Sequence, residues 1–256
     1  ETHNSIGGVV AVGDPTSMGN GIANDNHVGT EQIKNIKSIN ISNQGITDFT
    51  GIEGFIGLEE LRAFGNTVSS LNLSSNVNLT VVVCSTMGLT SIDVSGLTAL
   101  KTLELNTNQL LTIDVSSNSS LEILRIINNQ LSSLNLAANA GLRDLRIQGN
   151  NLTSIDVSTN TLLRYVSCRD NDLTNLNVEN NILLENLSCG KNSLSTINVS
   201  TLSNLTDLYI ESTPTLTSLD ISNNLNLEDI NVSDNILLTS LDVTSNTKLV
   251  EVYINN

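Results

Sequence analysis

A repeat of 21 residues fills most of the chain and constrains its fold more than any other feature. Eight units begin at leucines 21 residues apart, and two further beginnings follow at 22-residue steps. The ten leucines are Leu58, Leu79, Leu100, Leu121, Leu142, Leu163, Leu184, Leu205, Leu227 and Leu249. Repeats of this length are the signature of a solenoid, in which each unit buries its apolar face only against its neighbours. The repeat therefore predicts an elongated stack of similar units.

Every unit consists of two similar halves. The long half reads L-x-x-L-x-L-x-x-N-x-L, and the short half reads x-x-L-[DN]-V-S-x-N-x-x. In both, apolar and polar residues alternate over one short stretch, which is the pattern of a half-buried strand. In the long half, positions 0, 3 and 5 counted from the first leucine are predicted to point inward, and positions 2, 4 and 6 outward. We expect parallel sheets on opposite sides of the solenoid, joined by short turns with little helix.

An asparagine follows the apolar stretch in nearly every half. The long-half column holds Asn66, Asn108, Asn129, Asn150, Asn171, Asn192 and Asn235, interrupted by Met87 and Thr213. The short-half column holds Asn76, Asn118, Asn139, Asn160, Asn181, Asn224 and Asn246, interrupted by Leu97 and Leu202. Asparagine tolerates tight turns, and its amide can bond backbone groups that a bend leaves unpaired. Stacked amides are therefore expected to close each turn of the coil.

This pattern resembles bacterial leucine-rich repeats with two nested leucine-rich halves in each 21 residues. The preceding stretch, IKSINISNQGITDFTGIEGFIGLEEL, resembles the opening repeat of internalin-like surface proteins. The resemblance implies an irregular N-terminal cap or linker over 1–35, an opening repeat over 36–57 and a solenoid of about nine units over 58–256. It also implies a secreted or surface-exposed bacterial protein that acts in adhesion or another protein interaction. Because the sequence stops partway through a unit, we expect the natural protein to continue.

Charge and residue content exclude several classes of function. The net charge of −15 opposes binding to nucleic acid or to anionic lipid, since both need a clustered basic surface. No run approaches the ~20 apolar residues of a membrane span. The two histidines, His3 and His27, lie far in sequence from the three cysteines, so neither a nucleophile with its base nor a zinc cluster is expected. We expect a protein that is not an enzyme.

The sequence predicts no cofactor, although two features are weak candidates for calcium. One is the Asp/Asn column of the short halves, in which every carboxylate stands alone and is better interpreted as supporting a turn. The other is Asn24, Asp25 and Asn26, which lack the spacing and the closing glutamate of a calcium loop. Cys84, Cys168 and Cys189 all occupy inward position 5, so they are predicted to be buried thiols of the core.

Function is predicted to lie on the outward columns of the long halves, since all six arginines and all three tyrosines occur in the long-half strands. The candidate site is centred on Arg125, Arg146, Tyr165 and Arg169, and it includes Gln148, Ile123, Ile127 and Tyr209. Arginine and tyrosine are enriched at binding hot spots, and a guanidinium group suits carboxylate or sulfate. We expect this surface to bind a protein or polysaccharide on another cell or matrix. A surface ladder of ion pairs among Glu104, Arg125, Asp144 and Arg146 would be an alternative explanation.

Two other functions remain open from the sequence. The chain could be a rigid spacer or coat element whose surface needs only the solubility that its acidic character provides. It could also be a non-catalytic part of a larger secreted enzyme. Of the sequence features, only the concentration of arginine and tyrosine in the long halves favours recognition over these two.

Overall fold

The long halves build one continuous parallel sheet. The computed structural model describes residues 33–255, together with the backbone of two short strands near the N-terminus. Its strands are β1 (Thr2–His3), β2 (Val9–Val10), β3 (Ser38–Asn40), β4 (Glu60–Arg62), β5 (Ser70–Asn72), β6 (Val81–Val83), β7 (Ser91–Asp93), β8 (Thr102–Glu104), β9 (Ile123–Arg125), β10 (Asp144–Arg146), β11 (Tyr165–Ser167), β12 (Asn186–Ser188), β13 (Asp207–Tyr209), β14 (Asp229–Asn231) and β15 (Glu251–Tyr253). A single turn of 3-10 helix spans Ile52–Gly54. Asn24, Asp25, Asn26 and most of the predicted cap over 1–35 lie outside the described residues.

Eleven of these strands follow one another through the sheet in chain order, from β3 and β4 through β6 and β8 to β15. All are parallel, and each residue lies opposite its equivalent in the next unit, as Leu145 lies opposite Leu124 on one side and Val166 on the other. The 22-residue units keep this register, because Asp207 still lies opposite Asp229. The predicted solenoid of leucine-rich repeats with little helix is therefore confirmed.

The second sheet is much smaller than the first. β5 and β7 pair in parallel, with Leu71 opposite Ile92, and they belong to the short halves of two adjacent units. The later short halves within residues 33–255 run as turns and irregular chain. The two sides of the solenoid thus differ, since only the long-half side presents an extended regular surface.

The interior is a stack of apolar residues from the inward positions. Leu142, Leu145 and Ile147, at positions 0, 3 and 5 of one unit, are all completely buried. The same positions are buried in every unit from Leu58 to Leu227, whereas Val252 and Ile254 at positions 3 and 5 of the last unit are exposed; Cys84, Cys168 and Cys189 are buried free thiols as the sequence predicts. Burying a side chain of this size contributes about 1.5–3 kcal/mol. Each rung is therefore stabilised mainly by the rungs above and below it.

The asparagine columns close the coil at both turns. In the long half, the Asn150 Nδ2 donates to the carbonyl oxygens of Ile126 at 2.8 Å and Ile147 at 2.9 Å, and its Oδ1 accepts from the Leu131 N–H at 3.0 Å. In the short half, the Asn160 Nδ2 donates to Leu136 and Asn139. These bonds connect neighbouring rungs, which confirms the predicted amide ladders.

The residue before each long-half turn position adopts a left-handed backbone conformation. These residues are Gly65, Thr86, Thr107, Asn128, Gly149, Asp170, Lys191, Ser212 and Asp234, with φ between 48° and 70°. Glycine and asparagine reach this region with little strain, whereas a β-branched threonine does not. The sharp bend after each strand is therefore held in place by the ladder even where the local sequence opposes it.

Candidate functional site

The outward face of the long-half sheet carries the candidate site between β9 and β13. Direct strand pairing places Arg125, Arg146, Ser167, Ser188 and Tyr209 in a single row at position 4 of successive rungs. A second row, at position 2, includes Asp144, Tyr165 and Asn186. Because adjacent strands lie ~4.8 Å apart, side chains in one row are immediate neighbours.

Arg125 is held between two carboxylates. Its Nη2 lies 2.6 Å from the Asp144 Oδ2, and its Nη1 lies 3.1 Å from the Glu104 Oε1. Burial of the guanidinium opposes its charge, but hydrogen bonds and attraction from Asp144, and then from Glu104, outweigh this effect and raise the pKa of Arg125. The ladder of ion pairs considered from the sequence is therefore present, and it occupies the Arg125 donors.

Arg169 also forms an ion pair with a carboxylate, and that carboxylate belongs to a rung that is not adjacent. Its Nε donates to the Glu211 Oε1, a residue two rungs away, and the bond passes over Gly190 on the intervening rung. A Cβ at Gly190 would lie 2.5 Å from the Glu211 carbonyl oxygen and 2.7 Å from its Oε2. Only glycine at this position leaves room for the pair.

A depression of about 360 Å³ lies beside these ion pairs. Its lining consists of Arg146, Gln148, Tyr165, Val166, Ser167, Asn186, Ser188 and Tyr209. Ser167 and Ser188 lie opposite each other on β11 and β12, and both their neighbours in the row, Arg146 and Tyr209, are large. Two small side chains between two large ones therefore create the depression. Its ends are three strand spacings apart, or ~14 Å.

Arg146 forms one end of the depression and keeps donors available. Its Nε donates to the Asp144 Oδ1 at 2.8 Å, while neither Nη atom has a partner among residues 33–255. The Arg146 side chain is 41% exposed, whereas that of Asp144 is 9% exposed and is fixed by Arg125 as well. One edge of the guanidinium is thus anchored through Asp144, and the other edge faces solvent at the depression.

Two tyrosines border the remaining sides. Tyr165 is 42% exposed, and its hydroxyl has no hydrogen-bond partner within the described chain. The Tyr209 hydroxyl lies 3.4 Å from the Asp207 Oδ1 as a donor. Burial raises the pKa of Tyr209 to about 12, with Asp207 and Asp229 adding to the shift. The Tyr209 hydroxyl therefore keeps its proton at physiological pH.

Beyond Tyr209 the surface becomes acidic. Asp207, Asp229 and Glu251 lie opposite one another on β13, β14 and β15, and in the described part of the chain none has a cationic partner. Burial raises the pKa of Asp229, and the nearby charges of Glu251, Asp207 and Glu228 raise it further. The depression therefore lies between a basic end at Arg146 and an acidic surface beyond β13.

The fold and repeat match solved structures of leucine-rich repeat proteins. No protein-family model and no curated protein sequence matches the chain. The functional domain of InlJ from Listeria monocytogenes, described as including a cysteine ladder, is 29% identical, with a TM-score of 0.57 over 90% of this chain and 65% of that domain. The chain is similar to the internalin InlJ in its leucine-rich repeat fold. It thus spans less than two thirds of the InlJ domain.

Two further structures share the fold at lower identity. The internalin InlF from Listeria monocytogenes is 20% identical with a TM-score of 0.59, and the match covers 90% of each chain. A leucine-rich repeat protein of Leptospira interrogans is 20% identical with a TM-score of 0.66, covering 87% of this chain and 73% of its own. At these identities the likeness concerns the fold alone.

The chain brings together half of the residues predicted for the site. Arg146, Gln148, Tyr165 and Tyr209 line the depression. Arg125 and Arg169 are engaged with carboxylates, and the half-buried Ile123 and Ile127 do not line it. Three further lining residues were not predicted, and the sequence identifies them only as outward residues of two consecutive rungs: Ser167, Asn186 and Ser188.

Within residues 33–255, no cluster of three or more His, Cys, Asp or Glu could hold a metal ion. The short-half carboxylates are engaged locally, as the Asp114 Oδ1 accepts from the Ser116 N–H at 2.9 Å. Their interpretation as turn-supporting residues is confirmed.

The three cysteines are buried as free thiols. Burial raises the pKa of the Cys84 and Cys168 thiols to about 12, so both remain protonated and unreactive in the folded core. Among the described residues, no helix has the length and apolar character needed to cross a membrane.

Proposed function

We propose that this chain is a non-catalytic extracellular recognition or adhesion module, exposed on or secreted from a bacterial cell. Its ligand would be a protein or polysaccharide of another cell or of the matrix, bound across the long-half sheet. The observation that carries the proposal is the depression formed at Ser167 and Ser188 between Arg146 and Tyr209. It combines an exposed guanidinium with two tyrosines, which are residue types that dominate binding energy at interfaces.

The chemistry of the depression supports binding over catalysis. In the described chain, the hydroxyls of Ser167 and Ser188 make no hydrogen bond to a side chain that could act as a base. Serine needs such a base within hydrogen-bond reach to act as a nucleophile. The architecture supports the same function, since a solenoid presents an extended surface that leucine-rich repeat proteins use for binding. We also propose the domain boundaries given above: a cap over 1–35, an opening repeat over 36–57 and the solenoid after it.

Binding to arrays of matrix proteins and bacterial and animal glycans would test the proposal. Arg146→Gln and Tyr165→Ala should each weaken the detected interactions, because both side chains border the depression and are exposed. Arg143→Gln is the matched control, since Arg143 belongs to the same unit and is exposed but does not line the depression.

Each possible result would support a different function or a different site. Equal binding by the wild type and both depression variants would show that the ligand site lies elsewhere on the chain. An absence of any interaction on either array would instead favour a rigid spacer or a non-catalytic part of a larger secreted enzyme. The pairs that close off Arg125 and Arg169 are the observation that favours the spacer.

A further inference from the structure

We propose that the depression binds an oligosaccharide that carries a single carboxylate on one of its sugar rings. The carboxylate would lie against Arg146, and the rings would lie over Ser167 and Ser188 between Tyr165 and Tyr209. This inference rests on the proposed recognition function and specifies the chemistry of the ligand.

The position of Arg146 favours a carboxylate ligand. Its Nε is bound to Asp144, and Asp144 is fixed in turn by Arg125, so the guanidinium is oriented before any ligand arrives. The two Nη atoms without partners form the edge that can bind both oxygens of a carboxylate. Arg125 neutralises part of the charge on Asp144, which lowers the repulsion that an incoming anion would meet.

The floor of the depression favours a sugar over a peptide. Ser167, Ser188 and Asn186 present hydroxyl and amide groups, whereas Val166, the apolar residue in the lining, is 1% exposed. A ligand with many hydroxyl groups can bond such a floor as both donor and acceptor. A peptide usually needs an apolar pocket for an anchoring side chain or a free strand edge to pair with, and this floor, on the face of the sheet, offers neither. Tyr165 and Tyr209 add flat apolar surface on either side.

The acidic surface beyond Tyr209 limits the ligand to few charges. A polyanion laid along the sheet from Arg146 would extend over Asp207, Asp229 and Glu251, which have no cationic partners in the described chain. That surface begins three strand spacings, or ~14 Å, from Arg146, so a longer polyanion would place its further charges directly against these carboxylates. An oligosaccharide with one acidic ring at the Arg146 end and neutral rings toward Tyr209 avoids this repulsion.

Saturation-transfer NMR and titration calorimetry on the full chain would test the proposal with defined probes. The probes are 3′-sialyllactose, a glucuronic-acid-terminated disaccharide, neutral lactose, an acidic hexapeptide and heparin. We expect one or both acidic oligosaccharides to bind more tightly than lactose, heparin and the peptide. Arg146→Gln should reduce that affinity about tenfold or more, which corresponds to losing a charge-assisted pair. Tyr165→Ala should also weaken it, whereas Arg143→Gln should leave it unchanged.

The alternatives give distinct results. Tighter binding of the peptide would assign the depression to acidic protein segments, and tighter binding of heparin would overturn the limit of one charge. If neither acidic oligosaccharide binds, but an array ligand is still lost in Arg146→Gln, the proposed function stands and the saccharide assignment is wrong. If the array ligand binds both depression variants as tightly as it binds the wild type, the location of the site is wrong as well. Thermal unfolding of each variant would confirm that it is folded.

Discussion

A single asparagine amide of the long-half column joins two rungs of the solenoid. Asn150 satisfies two carbonyls and one N–H, and two of these groups, the Ile126 oxygen and the Leu131 N–H, have no other hydrogen-bond partner among the described residues. Its short-half counterpart, Asn160, also donates twice, but its Oδ1 accepts no hydrogen bond. The two columns look alike in sequence, yet the long-half amides make three or four hydrogen bonds, as in Asn150 and Asn108, whereas short-half amides such as Asn118 and Asn160 make two.

Replacing Asn150 by alanine should therefore destabilise the fold strongly. The Ile126 oxygen and the Leu131 N–H lose their only partner, while the Ile147 oxygen keeps its bond from Asn171, and we expect the free energy of unfolding to fall by about 2–3 kcal/mol. Chemical denaturation would measure the change. Asn151→Ala is the control, because the neighbouring Asn151 side chain is exposed and should tolerate the same change within about 0.5 kcal/mol. Similar losses in both variants would contradict the role assigned to the ladder.

The left-handed bend offers an opposite prediction, of increased stability. Thr107 adopts φ = 56° and is exposed, while the equivalent residue of the next unit is Asn128 at 53°. Thr107→Asn should stabilise the protein by up to about 1 kcal/mol, since asparagine adopts this conformation with less strain. The melting temperature should rise relative to Thr112→Asn, a control at an exposed residue without positive φ. A fall in stability at Thr107 would show that the threonine makes a compensating interaction.

At the residue scale, the repeat predicts which way each side chain points, but not which residue it bonds. Counting from the first leucine of each unit places Arg146, Tyr165 and Tyr209 on the outward face, because side-chain direction alternates regularly along a strand. The same counting could not show that Arg169 reaches Glu211 across Gly190, since that depends on side-chain conformation and on the space left by one missing Cβ. Arginines that look equivalent in sequence therefore differ in whether their donors remain available.

Among the elements, the short-half turns depend on an Asp or Asn side-chain oxygen that accepts from the backbone N–H two residues later. The Asp156 Oδ1 accepts from the Ser158 N–H at 2.9 Å, and the Asn135 Oδ1 makes the equivalent bond to Ala137 at 3.0 Å. Hydrogen bonds from the Ser158 side chain and backbone lower the pKa of Asp156. The turn tolerates either residue, but only aspartate makes it sensitive to pH.

Acid should therefore destabilise these turns. Since the folded-state pKa of Asp156 lies below its ordinary value of 3.8, its contribution is present above that value and is lost as the pH falls through the lowered pKa. Asp156→Asn keeps the hydrogen bond and removes the titration, so its melting temperature should fall less than that of the wild type below pH 4. Asp172→Asn makes the same charge change at an exposed side chain without a partner in the described chain. Identical acid profiles for the two variants would contradict the prediction.

The elements themselves were largely predictable, because their pattern repeats. Inward leucines such as Leu142 and Leu145 define the long-half strand by their spacing alone. The short half carries the same alternation, yet it forms strands only at β5 and β7 among the described residues. Alternation reports which side chains are buried, and it does not report whether the backbone of one rung pairs with that of the next.

For the molecule as a whole, excess negative charge opposes the compact state. The net charge is −15, and unpaired carboxylates such as Asp229 lie on adjacent rungs within the described residues. Raising the salt concentration from ~0.01 M to ~0.15 M shortens the screening length from ~30 Å to ~8 Å. We expect the melting temperature to rise over this range at pH 7. Asp229→Asn should reduce the size of that increase, and a fall in the wild-type melting temperature would show that ion pairs dominate instead.

The in-register pairing of the long halves has a mechanical consequence. Hydrogen bonds between parallel strands point from one rung to the next, so a force applied along the stack pulls directly on them. Such a force opens the terminal rung first, and each opened unit releases roughly 70 Å of extended chain before the next is strained. A tethered molecule of this kind would lengthen in steps at nearly constant tension, and it would act as an extensible strap between the points where it is held.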